Sequence, residues 1–106
     1  IKKAMEKVVV GRNGTARKYK IGSKNIEMAG KTGTVQVVRI SEAEREQGLI
    51  KNEDRPWEKR DHALFVGYAP VLNPKYAVSV VVEHGGSGSS VAAPIARDVF
   101  KHLFKL

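Results

Sequence analysis

The spacing of apolar residues along the chain predicts, in order, a helix, a strand, a polar loop, a hairpin and a second helix. Residues 1 to about 10 carry apolar side chains at helical spacing, and Gly11 predicts a left-handed end to that helix. The β-branched segment from Ile26 to Val38 predicts the first strand. Since helical spacing starts at the first residue, with no capping residue before it, we expect the chain to be a piece of a longer one.

The second half of the chain predicts a β-hairpin followed by a helix. Ala63 to Ala69 and Tyr76 to Glu83 are apolar runs separated by the turn residues Asn73-Pro74. A cap at Ser89 or Ser90 predicts the start of the closing helix. Its predicted sheet-facing stripe comprises Val91, Ala92, Ile95, Ala96, Val99, Phe100 and Leu103. The predicted fold is α/β (α+β): an antiparallel three-strand meander with flanking N- and C-terminal helices.

Residues 39–61 interrupt this pattern as a charged loop insertion in what is otherwise one unit, residues 1–106. Ser41 and Glu44 form a capping-box signal for a short helix, and Gly48 predicts its end. Charges of both signs surround Trp57, which we expect to anchor the loop. Because a long polar segment offers few apolar contacts, we predict that this loop is the most mobile internal part of the chain.

Amino-acid composition says more about the binding partners of the chain than about its catalytic chemistry. The chain has 106 residues, enough for one small domain, and no cysteine, which excludes disulfides, cysteine nucleophiles and cysteine-ligated zinc. With 19 basic and 11 acidic residues its net charge is +8, which favours anionic partners. A small basic nucleic-acid-binding module is therefore an alternative, although the basic residues are not interleaved with aromatic ones. The sequence contains no run of about 18 apolar residues, so no membrane span is predicted.

The tetrad Lys31-Thr32-Gly33-Thr34 is the segment most suggestive of a binding site. On an extended strand its two threonines face one side, and its lysine and glycine face the other. Two hydroxyls on one face can bind a carboxylate, and the glycine lets a ligand backbone lie against the strand. For the tetrapeptide alone, an ordinary solvent-facing strand is the alternative interpretation.

Other motifs are weaker. Gly30-Lys31-Thr32 resembles the end of a phosphate-binding loop, but Asn25 stands where that loop needs glycine, and a strand-like sequence follows. The histidines, at positions 62, 84 and 102, lack the short spacings of a zinc site, so no metal is predicted. Asp61-His62 is a polar pair at the start of a strand, where a structural role is expected.

Several further blocks follow the tetrad in a definite order. They are Val35-Gln-Val37, Asp61-His-Ala-Leu-Phe-Val-Gly-Tyr-Ala-Pro70, Tyr76-Ala-Val-Ser-Val-Val-Val-Glu-His-Gly85 and Ala92-Ala-Pro-Ile-Ala-Arg97. From about Met5 to Phe104 the chain resembles the C-terminal part of the transpeptidase domain of class B penicillin-binding proteins. Within these it most resembles the penicillin-binding protein 2 group that serves cell elongation. Lys-Thr-Gly is one of the signature motifs of these serine enzymes.

The resemblance implies the serine β-lactamase/DD-peptidase-like transpeptidase fold and a role for each residue of the tetrad. Lys31 and Thr34 would be catalytic: Lys31 beside the proton-transfer network of the nucleophile, Thr34 through its backbone N–H as one donor of the oxyanion hole. Thr32, Gly33 and Thr34 would bind the substrate, with its terminal carboxylate on the two hydroxyls. The resemblance implies neither a cofactor nor a metal.

The chain departs from the family pattern in one important respect. No serine of the chain has lysine three positions further on, so the nucleophile motif is missing. Ser23-Lys24-Asn25 matches the second motif, Ser-x-Asn, only formally, because it lies too close to Lys31. The fragment is therefore expected to be inactive alone, and a peptide-binding domain that keeps the fold without the chemistry is a further alternative.

For the full-length protein the resemblance implies a D,D-transpeptidase that cross-links peptidoglycan through a serine acyl-enzyme and releases D-alanine. The implied partners are a stem peptide ending in D-Ala-D-Ala, β-lactam antibiotics and the missing N-terminal part of its own domain, and no nucleic acid is expected. The implied location is the bacterial inner membrane, with this domain on the periplasmic side.

Overall fold

The computed structural model describes residues 1–23, 25–39, 41–48 and 50–106, so the middle residue of the formal Ser-x-Asn match lies outside the described residues. Within these residues the helices and strands are α1 (Lys2–Val10), β1 (Ala29–Val35), α2 (Glu42–Gln47), β2 (His62–Ala69), β3 (Tyr76–Val82) and α3 (Ala93–Leu103). Short 3-10 turns lie at Arg17–Tyr19, Asn52–Asp54 and Trp57–Lys59, and a wide helical turn at Gly88–Ala92 leads into α3. The predicted order of elements is confirmed.

The three strands form one antiparallel sheet in the order β1-β2-β3, as the predicted meander requires. In the register, Thr34 of β1 lies opposite Ala63 of β2, and Phe65 of β2 lies opposite Val80 of β3. β2 is therefore central. Within the described part of the chain, β1 and β3 are the two edges of the sheet.

The core lies on one face of the sheet, where β2 and α3 meet. Along β2, Ala63, Phe65 and Ala69 are fully buried, which is the alternation expected of a strand with one covered face. From the helix side, Ala96 and Phe100 fill the same core. The opposite face carries exposed apolar residues, Val66 and Val81 among them.

β1 is shorter than the predicted strand from Ile26 to Val38. Before the strand, the Glu27 carboxylate accepts hydrogen bonds from the backbone N–H groups of Ile21 (2.7 Å) and Gly22 (3.0 Å), which holds a turn there. After it, the N–H of Val37 donates to Asp61 Oδ1 at 3.3 Å. Hydrogen bonds between side chains and backbone thus form at both ends of the predicted strand, and such bonds compete with strand pairing.

The caps predicted for the first and last helices were wrong in detail. Gly11 ends α1 in an extended conformation (φ −69°, ψ 149°), because the next turn folds back and the N–H of Ala16 donates to the Val8 carbonyl at 2.9 Å. At the start of the closing helical segment, the serine that accepts a capping bond is Ser87, from the N–H of Ser90 at 3.5 Å. The wide turn begins earlier than predicted, so the cap lies earlier too.

The apolar stripe predicted for α3 was too broad. Ala92, Ala96 and Phe100 are buried, whereas Ile95, Val99 and Leu103 keep exposed fractions of 42%, 39% and 38%. α3 packs on β2, β3 and the turn that precedes it, and these elements cover one side of the helix. One side of α3 therefore presents apolar surface to solvent in this chain.

Polar contacts hold the loop between β1 and β2. Arg55 and Glu44 form an ion pair at 3.0 Å, and Ser41 caps α2 by accepting from the N–H of Glu44 at 3.2 Å, as predicted. The ring of Trp57 packs on that of His84, with centroids 4.4 Å apart, which fits the expected anchoring role. The mobility of this loop stays a prediction.

In the part of the chain that the structure describes, no helix has both the length and the apolar composition needed to cross a bilayer.

Candidate active site

The Lys31-Thr32-Gly33-Thr34 tetrad lies in the middle of β1, at one edge of the sheet. Thr32 and Thr34 lie opposite Phe65 and Ala63 in the register and so share the face of the sheet that carries the core. Lys31 and Gly33 share the opposite face. The alternation predicted from the sequence is therefore present in the structure.

Thr34 is held by the turn that precedes α3. The N–H of Gly88 donates to Thr34 Oγ1 at 3.3 Å, across 54 positions of sequence. Gly88 is buried against the β1–β2 ladder so closely that a Cβ there would lie 2.6 Å from the Leu64 carbonyl oxygen and would also overlap the Gly33 carbonyl. Only glycine fits at this contact. Since Thr34 Oγ1 accepts this bond, its own hydrogen remains free to donate to a ligand.

Thr32 is in contact with a second threonine. Thr15, in the turn after α1, places its Oγ1 3.2 Å from Thr32 Oγ1, and either hydroxyl can be the donor. The two hydroxyls of the tetrad are thus each in contact with a group from a different part of the chain. Thr32 is half-buried and Thr34 is exposed, so both can be reached from solvent.

The backbone of the tetrad is open on the side away from β2. Lys31 Nζ donates to the carbonyl of Thr32 at 2.8 Å, so that carbonyl is accessible from outside the sheet. In an antiparallel strand the N–H and C=O of one residue point the same way, and residues two apart share that direction. The backbone groups of Thr32 and Thr34 are therefore expected to point away from the sheet.

Gly33 leaves room on the Lys31 face of the strand. A Cβ built at Gly33 would meet only Leu64 Cβ, at an ordinary contact distance of 3.6 Å, among the described residues. The strand surface is thus flat at this position, and an extended ligand can lie along it without displacing protein atoms.

The turn that carries Gly88 is itself fixed by histidines at the end of the sheet. The N–H of His84 donates to His62 Nδ1 at 2.9 Å, and His84 Nδ1 lies 2.9 Å from the carbonyl of Arg60. Because a carbonyl only accepts, that bond places a hydrogen on His84 Nδ1. His84 has a left-handed backbone (φ 54°), which is uncommon for residues other than glycine. The N–H of Gly86 donates to the Asp61 carbonyl at 2.9 Å. These bonds hold the turn against residues 60–62, at the start of β2.

The weaker candidates have structural surroundings. Asp61 accepts from Val37 and from Asn52 Nδ2 (3.2 Å), so it ties the loop to the sheet. His62 and His84 pack at 4.6 Å between ring centroids, while His102 lies in the last turn of α3. Within the described residues no three His, Asp or Glu side chains are grouped as a metal site.

Sequence reasoning missed two residues of this site, Thr15 and Gly88. Thr15 had no motif to mark it, because its contact with Thr32 depends on how α1 packs beside β1. Gly88 lies in the glycine- and serine-rich segment 85–90, which predicted a flexible bend but not a close approach to the tetrad.

Comparison with known proteins identifies relatives for nearly the whole chain. Residues 1–101 match the penicillin binding protein transpeptidase domain. The chain is 45% identical over 103 residues to peptidoglycan D,D-transpeptidase MrdA of Haemophilus influenzae, covering 95% of this chain and 15% of that protein. MrdA of Escherichia coli K12 is 36% identical over 96 residues, covering 86% of this chain and 13% of that protein.

Two solved structures agree with these relatives. PBP2 of Pseudomonas aeruginosa, in complex with WCK 5153, has a TM-score of 0.71 at 42% identity, covering 96% of this chain and 18% of that one. PBP2 of Helicobacter pylori, in complex with MreC, also has a TM-score of 0.71, at 30% identity, covering 95% of this chain and 16% of that one. These likenesses confirm the predicted transpeptidase fold.

The curated relatives are named as peptidoglycan D,D-transpeptidases, and the chain spans only about 15% of the Haemophilus influenzae protein. The match over residues 1–101 and the identities to MrdA together show that this chain belongs to the penicillin-binding protein transpeptidase family.

Proposed function

We propose that this chain is the C-terminal portion of the transpeptidase domain of a peptidoglycan D,D-transpeptidase and supplies one wall of its active site. The observation that carries the proposal is the tetrad on the open edge of β1, with its two hydroxyls on one face and each in contact with a neighbouring group. The relatives named MrdA support the same reaction class.

In the proposed reaction, a serine from another part of the domain attacks the carbonyl of the penultimate D-alanine of a stem peptide. A serine oxygen–carbon bond forms, the amide C–N bond breaks, and D-alanine leaves as an amine that has taken up a proton. An amine of a second stem peptide then attacks the ester, which forms the cross-link and returns a proton to the serine.

The residues of this chain have three tasks in that reaction. Thr32 and Thr34 bind the terminal carboxylate of the donor peptide with their hydroxyls, and the peptide backbone lies along Gly33. The backbone N–H of Thr34 donates to the carbonyl oxygen as it becomes negatively charged, and loss of one such donor typically costs about 100- to 1000-fold in rate. Lys31 stabilises the negative charge near the nucleophile with its ammonium group.

The proposal extends to the cellular setting. We place the full-length protein in the penicillin-binding protein 2 group, as an inner-membrane protein with this domain on the periplasmic side and a role in cell shape. β-Lactam antibiotics would acylate the same serine, because their carboxylate and reactive carbonyl match those of the donor peptide. Support comes from the relatives, which include PBP2 structures.

Labelling with a fluorescent penicillin tests the proposal. The full-length protein should be labelled stoichiometrically, and Lys31→Gln should slow labelling strongly, whereas Lys75→Gln, in the exposed β2–β3 turn, should leave it unchanged. The 106-residue chain alone should remain unlabelled, since no Ser-x-x-Lys occurs in it. A full-length protein that does not react, or a labelled serine within residues 1–106, would contradict the proposal.

A further inference from the structure

We propose that Thr15 is a positioning residue for the carboxylate subsite: its hydroxyl donates to Thr32, so that Thr32 donates in turn to the carboxylate of the substrate. The inference rests on the proposed function, because the subsite is the one assigned above to the hydroxyls of Thr32 and Thr34. The contact that suggests it joins Thr15 Oγ1 and Thr32 Oγ1 at 3.2 Å.

The backbone around Thr15 is fixed by its neighbours. Ala16 is fully buried, and its N–H donates to the carbonyl of Val8 in α1 at 2.9 Å. Gly14 approaches that carbonyl group so closely that a Cβ there would lie 2.7 Å from the carbonyl carbon of Val8. The position of Thr15 relative to β1 is therefore set by the packing of α1 and does not depend on a free loop.

The chemistry of the hydroxyls then gives the bond a direction. A hydroxyl has one hydrogen to donate, and a carboxylate can only accept. If Thr32 donates to a bound carboxylate, it has no hydrogen left for Thr15, so Thr15 must be the donor between them. Thr15 thus does for Thr32 what the N–H of Gly88 does for Thr34: each occupies an acceptor site and leaves the threonine hydrogen for the substrate.

The surroundings of Thr15 favour an anion. Thr15 lines an open groove of about 510 Å³ that continues to Lys31, and the charged residues along it are Lys7, Arg12 and Lys31. All three are cationic and solvent-exposed. A groove lined by one sign of charge raises the local concentration of oppositely charged ligands, so a carboxylate is drawn towards Thr15, whose hydroxyl contacts that of Thr32 in the middle of β1.

The test compares a carboxylate with its ester on the full-length protein. Acylation rates are measured for a penicillin and for its methyl ester, which lacks the charge that the threonines bind. Thr15→Val keeps the shape but removes the hydroxyl, and should lower the second-order acylation rate for the carboxylate form roughly five- to tenfold, the size of one hydrogen bond. The rate for the ester should change less than about twofold.

Two further variants make the result specific. Thr15→Ser keeps the hydroxyl and should restore the preference for the carboxylate form, while Ser79→Ala removes an exposed hydroxyl from β3 and should change neither rate. Because both rates are measured on the same preparation, a partly unfolded variant lowers both equally and leaves their ratio unchanged. The loss should lie in the saturation constant and not in the maximal rate, since the bond is made on binding.

The outcomes separate this inference from the proposed function. If Thr15→Val leaves the ratio unchanged while Thr32→Val lowers it, Thr15 has no positioning role and the proposed function stands. If Thr15→Val and Thr32→Val both lower the ratio, the inference is supported. If the wild-type protein is not acylated at all, the proposed function fails and this inference fails with it.

Discussion

Under the proposed function, Thr34 has two roles that a single substitution can separate. Its side chain accepts from Gly88 and remains free to donate, while its backbone is expected to point away from the sheet. A substitution that keeps the strand conformation but lacks the hydroxyl removes the side-chain hydrogen bond and keeps the backbone donor. Valine meets both conditions, because it is β-branched and close in shape to threonine.

In the full-length protein, Thr34→Val should slow acylation by carboxylate-bearing substrates about 10- to 100-fold, as expected for loss of a hydrogen bond to a charged group. The free energy of unfolding should fall by less than about 1 kcal/mol, since the residue is exposed and the bond to Gly88 is long. Stopped-flow acylation and denaturant unfolding measure the two effects. A large loss of stability, or unchanged acylation, would remove Thr34 from its assigned role.

Individual residues also show how far sequence reasoning reaches. The faces of the tetrad could be predicted, because alternation along a strand depends only on neighbouring positions. The partners of its hydroxyls could not: Thr15 and Gly88 lie 17 and 54 positions away from Thr32 and Thr34, and their approach depends on packing. Glu27 likewise makes β1 begin later than predicted by binding nearby N–H groups, which composition alone does not reveal.

The turn between β3 and α3 connects the core to the candidate site as one element. Its left-handed His84 is held by bonds to His62 and Arg60, and four positions later Gly88 lies on the β1–β2 ladder. A side chain at Gly88 has no space, because the nearest atoms belong to backbone that cannot rotate away. The turn and β1 should therefore move together.

Gly88→Ala should consequently disturb both stability and the site. We expect a loss of about 1–3 kcal/mol in the free energy of unfolding, the usual cost of overpacking, and slower acylation through displacement of Thr34. Ser90→Ala, an exposed position in the same turn, is the matched control and should change neither. Thermal unfolding of the full-length protein, with acylation measured well below the midpoint, distinguishes the two effects. If Gly88→Ala left stability at the wild-type level, the turn would have more freedom than the structure indicates.

The loop between β1 and β2 is held mainly by side-chain hydrogen bonds. Asp61 accepts from Val37 at one end of the loop and from Asn52 near its middle. Removal of this carboxylate should release Val37 and leave Asn52 held to position 61 only by the backbone N–H, which donates to Asn52 Oδ1 at 3.0 Å. In the full-length protein we expect Asp61→Ala to speed backbone hydrogen exchange over residues 50–60, while Asp54→Ala, exposed in the same loop, should not. Equal exchange in the two variants would mean that Trp57 and the Arg55–Glu44 ion pair suffice to hold the loop.

Helix α3 shows why an element can be predicted without its orientation. The periodicity identified a helix and its apolar stripe, yet which half of the stripe is buried depends on the width of the sheet beneath it. In this chain Ala96 and Phe100 are buried and Val99 is exposed. The information that decides this lies in the number and order of strands, which single-chain periodicity does not contain.

At the scale of the whole molecule, β3 is an open edge next to a helix that is only partly covered. α3 packs on β2 and β3, and β3 pairs with β2 alone among the described strands. Edge strands without charges, prolines or bulges pair readily with other chains. β3, with the sequence Tyr76-Ala-Val-Ser-Val-Val-Val82, has no charge and no proline. Its exposed Val81 adds apolar surface next to that edge.

We therefore expect the isolated 106-residue chain to self-associate through β3 or to aggregate at high micromolar concentration. A charge on the edge strand discourages such pairing, so Val81→Lys should reduce the association, whereas Leu72→Lys, exposed in the turn after β2, should not. Sedimentation velocity of the three proteins measures the effect, since the only differences are single exposed side chains. A wild-type chain that sediments as a stable monomer would mean that the edge of β3 is already protected, and that the exposed valine contributes nothing to association.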